Sequence, residues 1–257
     1  MWVVRCWMLG VPNFPMKGLF ITFEGTESCG KSTQIALLAD RLDKLNYRDV
    51  LVLREPGGTP IGEEIRHTLK HSQQNHAMTA EAELLLMNAS RAQLVREIIR
   101  PALADGKMIL CDRFYDSTTA YQGYGRELDL PWVKSVIDFA VGDTRPNLTL
   151  LLSVPVEISE ARRLARRGGQ QAMLIDVPIH DKKMESRSKL LPFSEPVRDR
   201  MEEADRNFFE RVAKGFRAIA AAEPNRVRVV DGSGPVETTF AKIWELVQPV
   251  LPRIGRW

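Results

Sequence analysis

A phosphate-binding loop lies near the start of the chain. Residues 25–32 read GTESCGKS and match the pattern G-x-x-x-x-G-K-[ST]. The glycines of such a loop let backbone N–H groups turn inward toward an anion, and the following helix adds the positive end of its dipole. Lys31 would reach the β- and γ-phosphates of a nucleoside triphosphate, and the Ser32 hydroxyl would help to hold Mg²⁺. The alternative is a chance glycine turn before a helix.

Three further charged residues follow strand-like segments. Arg54 follows the apolar run 49–53, and Asp112 and Arg113 follow the run 107–111. A guanidinium can hold a phosphate by two parallel hydrogen bonds, and a carboxylate can hold Mg²⁺ directly or through water. The alternatives are a surface ion pair for either arginine and, for Asp112, a helix cap or a structural partner of Arg113.

Four arginines are clustered later in the chain, at positions 162, 163, 166 and 167. In a helix over 155–167, the pairs 162/166 and 163/167 would each share a face. Such a run is usually a solvated patch, or a patch that binds RNA or acidic groups. The run itself leaves these alternatives open.

The segments that carry these residues alternate between strand and helix. Apolar runs predict strands at 18–24, 49–53, 107–111, 148–152 and 226–230, with helices at 33–42, 79–104, 155–167 and from 235 to about 250. Pro101 would kink the second helix or start a new one. Strands separated by helices imply an α/β fold, a doubly wound five-stranded parallel sheet flanked by helices. Ligands bind such sheets at the carboxyl ends of the strands, where the charged residues above would lie.

Composition is that of a globular protein. The chain has 257 residues, 44% of them hydrophobic, and a net charge of +3 that does not suggest a nucleic-acid binder. Its three cysteines show no C-x-x-C spacing, so a cytoplasmic location fits best. No apolar stretch reaches the about 20 residues that span a bilayer, so no membrane partner is expected. We expect a disordered extension at 1–16, with a short targeting or membrane-associating segment as the alternative, and a single domain at 17–252.

Four segments together resemble the thymidylate kinase family. They are the phosphate-binding loop, REPGGT at 54–59, ASRAQ at 89–93 and DRFYDSTTAYQG at 112–123. The last two are the more specific, because many unrelated NTPases share the loop. The resemblance spans about residues 17–250 and implies the P-loop kinase fold, transfer of the γ-phosphate of ATP to dTMP, and Mg²⁺ as cofactor. It also implies that the protein forms a homodimer and that its small-molecule partners are ATP and dTMP.

The resemblance assigns substrate contacts to individual residues. Arg54 and Arg113 would bind the acceptor phosphate, and Glu27 would face the deoxyribose 3′-hydroxyl. Arg91 would donate to the O4 carbonyl of thymine and so reject cytosine, which carries an amino group there. Tyr121 would pack under the sugar, unless it is an ordinary core tyrosine. The implied substrate-binding set is Glu27, Arg54, Met87, Arg91, Arg113, Thr118, Tyr121 and Gln122.

The resemblance also implies the residues around ATP. The ATP-binding set is Gly25, Thr26, Glu27, Ser28, Cys29, Gly30, Lys31, Ser32 and Thr33, with Ser32 and Asp112 as metal ligands. Ser28 after Glu27, together with a lid rich in arginine, is similar to the bacterial, lid-arginine type. The lid and its insertion would cover about residues 162–200. The implied catalytic set is Lys31, Arg113, Arg162, Arg163, Arg166 and Arg167, with no choice among the four lid arginines.

The sequence departs from the family pattern in three places. Met87 stands where a phenylalanine usually stacks on thymine, Cys29 replaces a usual alanine, and an insertion occupies roughly residues 169–197. Methionine packs on a ring less specifically than an aromatic side chain does. Two alternative functions therefore stay open: a kinase for another (deoxy)nucleotide or nucleoside, and a catalytically weak nucleotide-binding regulator. The insertion would act through the lid or contact a neighbouring subunit.

Overall fold

The computed structural model describes residues 18–72, 74–167 and 205–252, and only the backbone of residues 166 and 167. The predicted extension at 1–16 and the predicted insertion at 169–197 lie outside the described residues. Among the helices that are described, none combines the length and the apolar character needed to cross a membrane.

A five-stranded parallel sheet forms the centre of the fold. Its strands, in the spatial order β2-β3-β1-β4-β5, are β1 (Leu19–Glu24), β2 (Val50–Arg54), β3 (Met108–Asp112), β4 (Leu148–Ser153) and β5 (Val227–Asp231). Every neighbouring pair is parallel. The central strands are apolar and almost wholly buried, because helices cover both faces of the sheet. The predicted doubly wound five-stranded sheet is confirmed.

Helices cover both faces of the sheet. They are α1 (Lys31–Lys44), α2 (Pro60–Lys70), α3 (Ala80–Leu94), α4 (Arg100–Ala104), α5 (Tyr115–Thr118), α6 (Leu130–Val141), α7 (Val156–Arg167), α8 (Arg206–Ala222) and α9 (Val236–Val247). Two π-helical segments, Val95–Ile99 and Thr119–Gly125, and two 3₁₀ turns, Asn75–Ala77 and Gln248–Val250, complete the described elements. Alternate strand residues pack against α1 and α9 on one face, and against α3, α4, α6 and α8 on the other.

Three helices that are not among those predicted from the sequence begin at side-chain caps. Thr59, Asp129 and Asp205 each accept an N–H from the first turn of α2, α6 and α8. A cap of this kind satisfies a backbone donor that has no partner inside its own helix. Each helix therefore has a start signal in the sequence, a polar residue directly before its first turn.

The helix predicted over 79–104 is interrupted. Its first part is α3, its middle part is the π-helical segment Val95–Ile99, and its last part is α4. Pro101 has no N–H to donate, and its ring would clash with the carbonyl group four residues earlier in a regular helix. The wider turns directly before Pro101 accommodate the proline, so the proline starts a new helix here.

Close packing between α8 and the π-helical segment Thr119–Gly125 yields a test of the fold. A Cβ atom on Gly215 would lie 2.8 Å from ring carbons of Tyr124. We expect Gly215→Val to lower the free energy of unfolding by about 1–3 kcal/mol, the usual cost of overpacking, as measured by urea denaturation. The matched control Lys214→Val, at an exposed position of α8, should cost less than about 0.7 kcal/mol, the span of helix propensities. Equal losses in both variants would contradict this packing.

Candidate active site

The phosphate-binding loop joins β1 to α1 and has glycine where a side chain would not fit. Gly25 has a φ of 136°, and a Cβ atom there would overlap the carbonyl oxygen of Leu152 in β4. Gly30 has a φ of 101° and is the N-cap of α1. The loop therefore ends at a helix N-terminus, whose free N–H groups and dipole favour an anion.

Lys31 folds back over the loop. Its amine donates to the carbonyl oxygens of Gly25 at 3.2 Å and Thr26 at 2.9 Å, and the residue is only 6% exposed. The thiol sulfur of Cys29 lies 3.6 Å from the same nitrogen. The positive charge is thus held inside the loop, close to the N–H groups that an anion would approach.

Ser32 and Asp112 lie together at the start of α1 and the end of β3. The Ser32 hydroxyl donates to the Asp112 carboxylate at 2.9 Å. The two residues are far apart in the sequence, and the pairing of β1 with β3 brings them together. Both side chains offer oxygen atoms, which are the ligands that Mg²⁺ prefers.

Arg113 connects the phosphate-binding loop to the segment after β3. One terminal nitrogen donates to the Gly25 carbonyl and to the Ser117 hydroxyl, both at 2.9 Å. The other donates to the Glu27 carboxylate at 2.7 Å and to the Tyr121 hydroxyl at 3.2 Å. Although burial favours the neutral form, the Glu27 carboxylate leads the charges that raise the pKa of Arg113 well above its usual value. The guanidinium is therefore a permanent cation.

A pocket of about 430 Å³, open to solvent, lies beside the carboxyl end of β3 and is called the β3 pocket below. Its lining includes all but one of the predicted substrate-binding residues, namely Glu27, Met87, Arg91, Arg113, Thr118, Tyr121 and Gln122. Glu55, Pro56, Lys70, Phe114 and Ser117 complete the lining.

Arg54 and Lys70 differ from the pattern that the sequence indicates. Arg54 is absent from the described lining of the β3 pocket, and its guanidinium instead pairs with both carboxylate oxygens of Glu63 at 3.0 Å. This ion pair is the alternative that the sequence left open for Arg54. Lys70, the last residue of α2, lines the pocket although no motif singles it out.

Arg91 is buried, with 2% of its surface exposed. Its Nε donates to Glu55 at 2.8 Å, and its terminal nitrogens donate to Asn88 at 2.8 Å and to the Phe114 carbonyl at 3.3 Å. A guanidinium has five N–H groups, so one hydrogen on each terminal nitrogen has no acceptor among the described residues. Burial raises the pKa of Glu55 to about 7, against the opposing effect of Arg91.

Tyr121 belongs both to the core and to the β3 pocket. Its ring packs edge-on against Phe208 and Phe216 of α8, while its hydroxyl lies 3.4 Å from Glu27. The core interpretation of this tyrosine is therefore correct, and its packing under the sugar stays a prediction. Of the two other predicted residues on this segment, Thr118 is almost fully buried, and Gln122 donates to Glu83 at 2.8 Å.

The arginines of α7 differ in what they face. Arg162 donates twice to the carbonyl oxygen of Gly232, at 3.1 Å. Arg163 lies over the ring of Phe209, in a small cleft that Thr26 and Glu27 of the phosphate-binding loop also line. The side chains of Arg166 and Arg167 lie outside the described part of the chain. Of the two that are described, Arg163 is the one that shares a cleft with the loop.

Comparisons with known proteins identify the family. The family model described as thymidylate kinase matches residues 23–191. The thymidylate kinase of Syntrophotalea carbinolica is 42% identical over 88% of this chain and 93% of its own length, and that of Geobacter sulfurreducens is 42% identical over 92% and 99%. The crystal structure of thymidylate kinase from Ehrlichia chaffeensis has a TM-score of 0.63 and 28% identity, over 90% of this chain and 99% of that one. The chain belongs to the thymidylate kinase family.

Proposed function

We infer that the protein transfers the γ-phosphate of ATP to dTMP and releases ADP and dTDP. Membership of the thymidylate kinase family supports this reaction. The observation that carries it is that the phosphate-binding loop and the β3 pocket meet at one guanidinium. Arg113 binds Gly25 and Glu27 of the loop and Ser117 of the pocket wall. Substrates bound on the two sides of Arg113 would have adjacent phosphates, which direct transfer requires.

On the ATP side, we assign the triphosphate to residues 25–33. Their N–H groups and the Lys31 amine would bind it, with phosphate oxygens replacing the loop carbonyls that the amine now contacts. The adjacent Ser32 hydroxyl and Asp112 carboxylate fit Mg²⁺, since both are oxygen ligands that face the same point. Mg²⁺ bound there with ATP would neutralise charge on the β- and γ-phosphates.

Between the two sites, Arg113 stabilises the charge of the transferring group, and the Glu27 carboxylate binds that guanidinium from the side of the loop. No covalent intermediate is needed, because positioning and charge stabilisation supply the catalysis. Among the arginines of α7 we assign Arg163 to the lid's contact with the transferred phosphate. Its place in a cleft with Thr26 and Glu27 supports this choice over Arg162, which binds Gly232.

We assign the thymine base to the end of the β3 pocket that Arg91 and Met87 line. The remaining N–H groups of Arg91 match the O4 carbonyl of thymine, and they would meet a second donor in the amino group of cytosine. Arg54 stays a proposed phosphate ligand. Its position is opposite Asp112 in the register of β2 with β3, so a phosphate could replace Glu63 as its partner.

We also propose a homodimer and a cytoplasmic location. Leu85 of α3 and Trp132 and Phe139 of α6 are 59%, 73% and 84% exposed, and these two helices pack side by side. Large apolar side chains that are exposed together mark interaction surfaces. Leu84, by contrast, belongs to the core. Cys29 and Cys111 are free thiols, as expected in a reducing compartment.

A substrate panel tests the reaction. We expect ADP release, measured with a coupled enzyme assay, to be fastest with dTMP among dTMP, dUMP, dCMP, dGMP and thymidine. Lys31→Met keeps most of the length of the buried side chain but removes its charge, and it should lower turnover by at least about 100-fold, as expected for loss of a preorganised charge. Faster turnover of another acceptor would make that compound the substrate. If none of these compounds supports ADP release, the alternative of a nucleotide-binding regulator applies.

Base recognition by Arg91 is testable with a change that keeps the charge. Arg91→Lys retains a cation near Glu55 but loses the fork of donors, so kcat/KM for dTMP should fall about tenfold or more, with little change in the KM for ATP. Arg145→Lys, which alters an ion pair with Asp138 away from the β3 pocket, is the matched control and should leave both constants unchanged. Equal effects of Arg91→Lys on the two substrates would remove Arg91 from base recognition.

The dimer can be tested at Phe139. Phe139→Asp replaces this exposed ring with a charge. We expect it to weaken self-association by at least about tenfold, the effect of losing a central apolar contact, and sedimentation velocity would measure it. Leu164→Asp places the same change on an exposed apolar residue of α7 and should leave association unchanged. A parent protein that sediments as a monomer at all concentrations would contradict the proposal.

A further inference from the structure

Ser117 forms a bridge between Arg113 and a buried carboxyl group. Its hydroxyl oxygen accepts a hydrogen bond from Arg113 at 2.9 Å and lies 2.5 Å from a carboxyl oxygen of Glu24. Ser117 is 8% exposed and Glu24 is 1% exposed. A hydroxyl has one hydrogen and two lone pairs, so it can make both contacts at once. The sequence motifs do not assign a role to either residue.

Glu24 is itself held firmly at the end of β1. Its other carboxyl oxygen accepts the backbone N–H of Phe114 at 2.7 Å. Burial, reinforced by the neighbouring Asp116 carboxylate, raises the pKa of Glu24 to about 8. The ionised carboxylate accepts the Ser117 hydrogen, whereas the neutral carboxyl group can donate its own. In both states the Ser117 oxygen can accept from Arg113.

Asp116, the residue before Ser117, is held as firmly as Glu24. Asp116 binds Arg226 through two hydrogen bonds, at 2.7 and 2.9 Å, and its carboxylate lies 3.4 Å from the Thr149 hydroxyl of β4. Asp116 is also buried. The short helix α5 is therefore anchored to β4 and to the residue before β5, and the Ser117 hydroxyl has little freedom to move.

Besides the Gly25 carbonyl, the side chains that accept hydrogen bonds from Arg113 fall into two groups. Glu27 belongs to the phosphate-binding loop, and its side chain is 21% exposed, so substrates that bind the loop can alter its position. Ser117 and Tyr121 are buried, and Ser117 is tied to the sheet through Glu24. Arg113 has a positive φ of 71°, a conformation that is uncommon for a residue with a side chain. Ser117 gives this guanidinium a partner that the sheet holds in place.

We propose that Ser117 is a positioning residue for substrate binding, because its hydroxyl holds Arg113 in the orientation that meets the acceptor phosphate. The inference rests on the proposed function, in which Arg113 binds the phosphate of dTMP. Ser117 acts here through Arg113 and not by its own contact with the substrate. Removal of the hydroxyl leaves Arg113 its charge and its contacts with Gly25 and Glu27, so binding should be weakened but not abolished.

Isothermal titration of the intact protein with dTMP tests this role. We expect Ser117→Ala to weaken dTMP binding about fivefold to tenfold, the effect of one hydrogen bond to a charged group, with little change in ATP affinity. The control Thr68→Ala removes a hydroxyl from an exposed position of α2 and should leave both affinities unchanged. Thermal melting of each variant shows whether the fold is intact.

A double-mutant cycle separates positioning from direct contact. Ser117 also lines the β3 pocket, so its hydroxyl could in principle touch the ligand itself. If it acts through Arg113, the effect of Ser117→Ala should disappear in an Arg113→Ala background. An undiminished effect in that background would overturn the inference in favour of direct contact.

Two further outcomes would also overturn it. Unchanged dTMP affinity in Ser117→Ala would show that the hydroxyl does not position Arg113. Equal losses of dTMP and ATP affinity, together with a lower melting temperature, would show a structural role only. If the parent protein itself fails to bind dTMP, the proposed function is wrong and the inference falls with it, whereas the other outcomes leave the proposed function intact.

Discussion

The contact between Arg113 and Glu27 is the interaction on which the site depends. Arg113 follows β3 and Glu27 lies in the loop after β1, so the pair joins the carboxyl ends of two adjacent strands. Both side chains are mostly buried, and removing two charges from water costs free energy that one ion pair need not offset. The Gly25 carbonyl and the Ser117 hydroxyl supply further acceptors, which satisfy more of the guanidinium. The loop is thereby fastened to the wall of the β3 pocket, and the two proposed substrate sites become a single structure.

The same physical constraint recurs deeper in the pocket, at Arg91 and Glu55. This pair is more completely buried, and Asn88 and the Phe114 carbonyl accept further hydrogen bonds from Arg91. Glu55 keeps one buried carboxyl oxygen without a hydrogen-bond partner among the described residues. Such an oxygen is costly to bury, which agrees with the pKa of about 7 at which this carboxyl group takes up a proton. Both arginines of the pocket lining are therefore held by carboxyl groups that do not lie free in solvent.

The sequence predicts the local parts of this arrangement and not the long-range ones. The turn at Gly25, the strand before it and the proximity of Ser32 to Asp112 follow from a motif and from the geometry of parallel sheets. The burial of Arg91 does not, because it depends on Glu55, which lies on a different element. The helices α2, α6 and α8 are missing from the prediction, although each begins at a capping residue and the apolar residues of α2 and α8 recur at helical spacing. Arg54 illustrates the same limit, since a motif cannot show that Glu63 is its partner.

Met87 bears on the proposed base selectivity, because no aromatic residue stands at this position. Its side chain lines the β3 pocket and packs against the hydrophobic cluster that contains Tyr121 and Phe209. A thioether adapts its shape to its neighbours and makes favourable contacts with rings, but it does not impose an orientation on them. Orientation must then come from a rigid group, and Arg91 is rigid because three hydrogen bonds fix its guanidinium plane. Shape and direction are thus supplied by different residues, and in the proposed function the selection of thymine would depend on the donors of Arg91 more than on the Met87 surface.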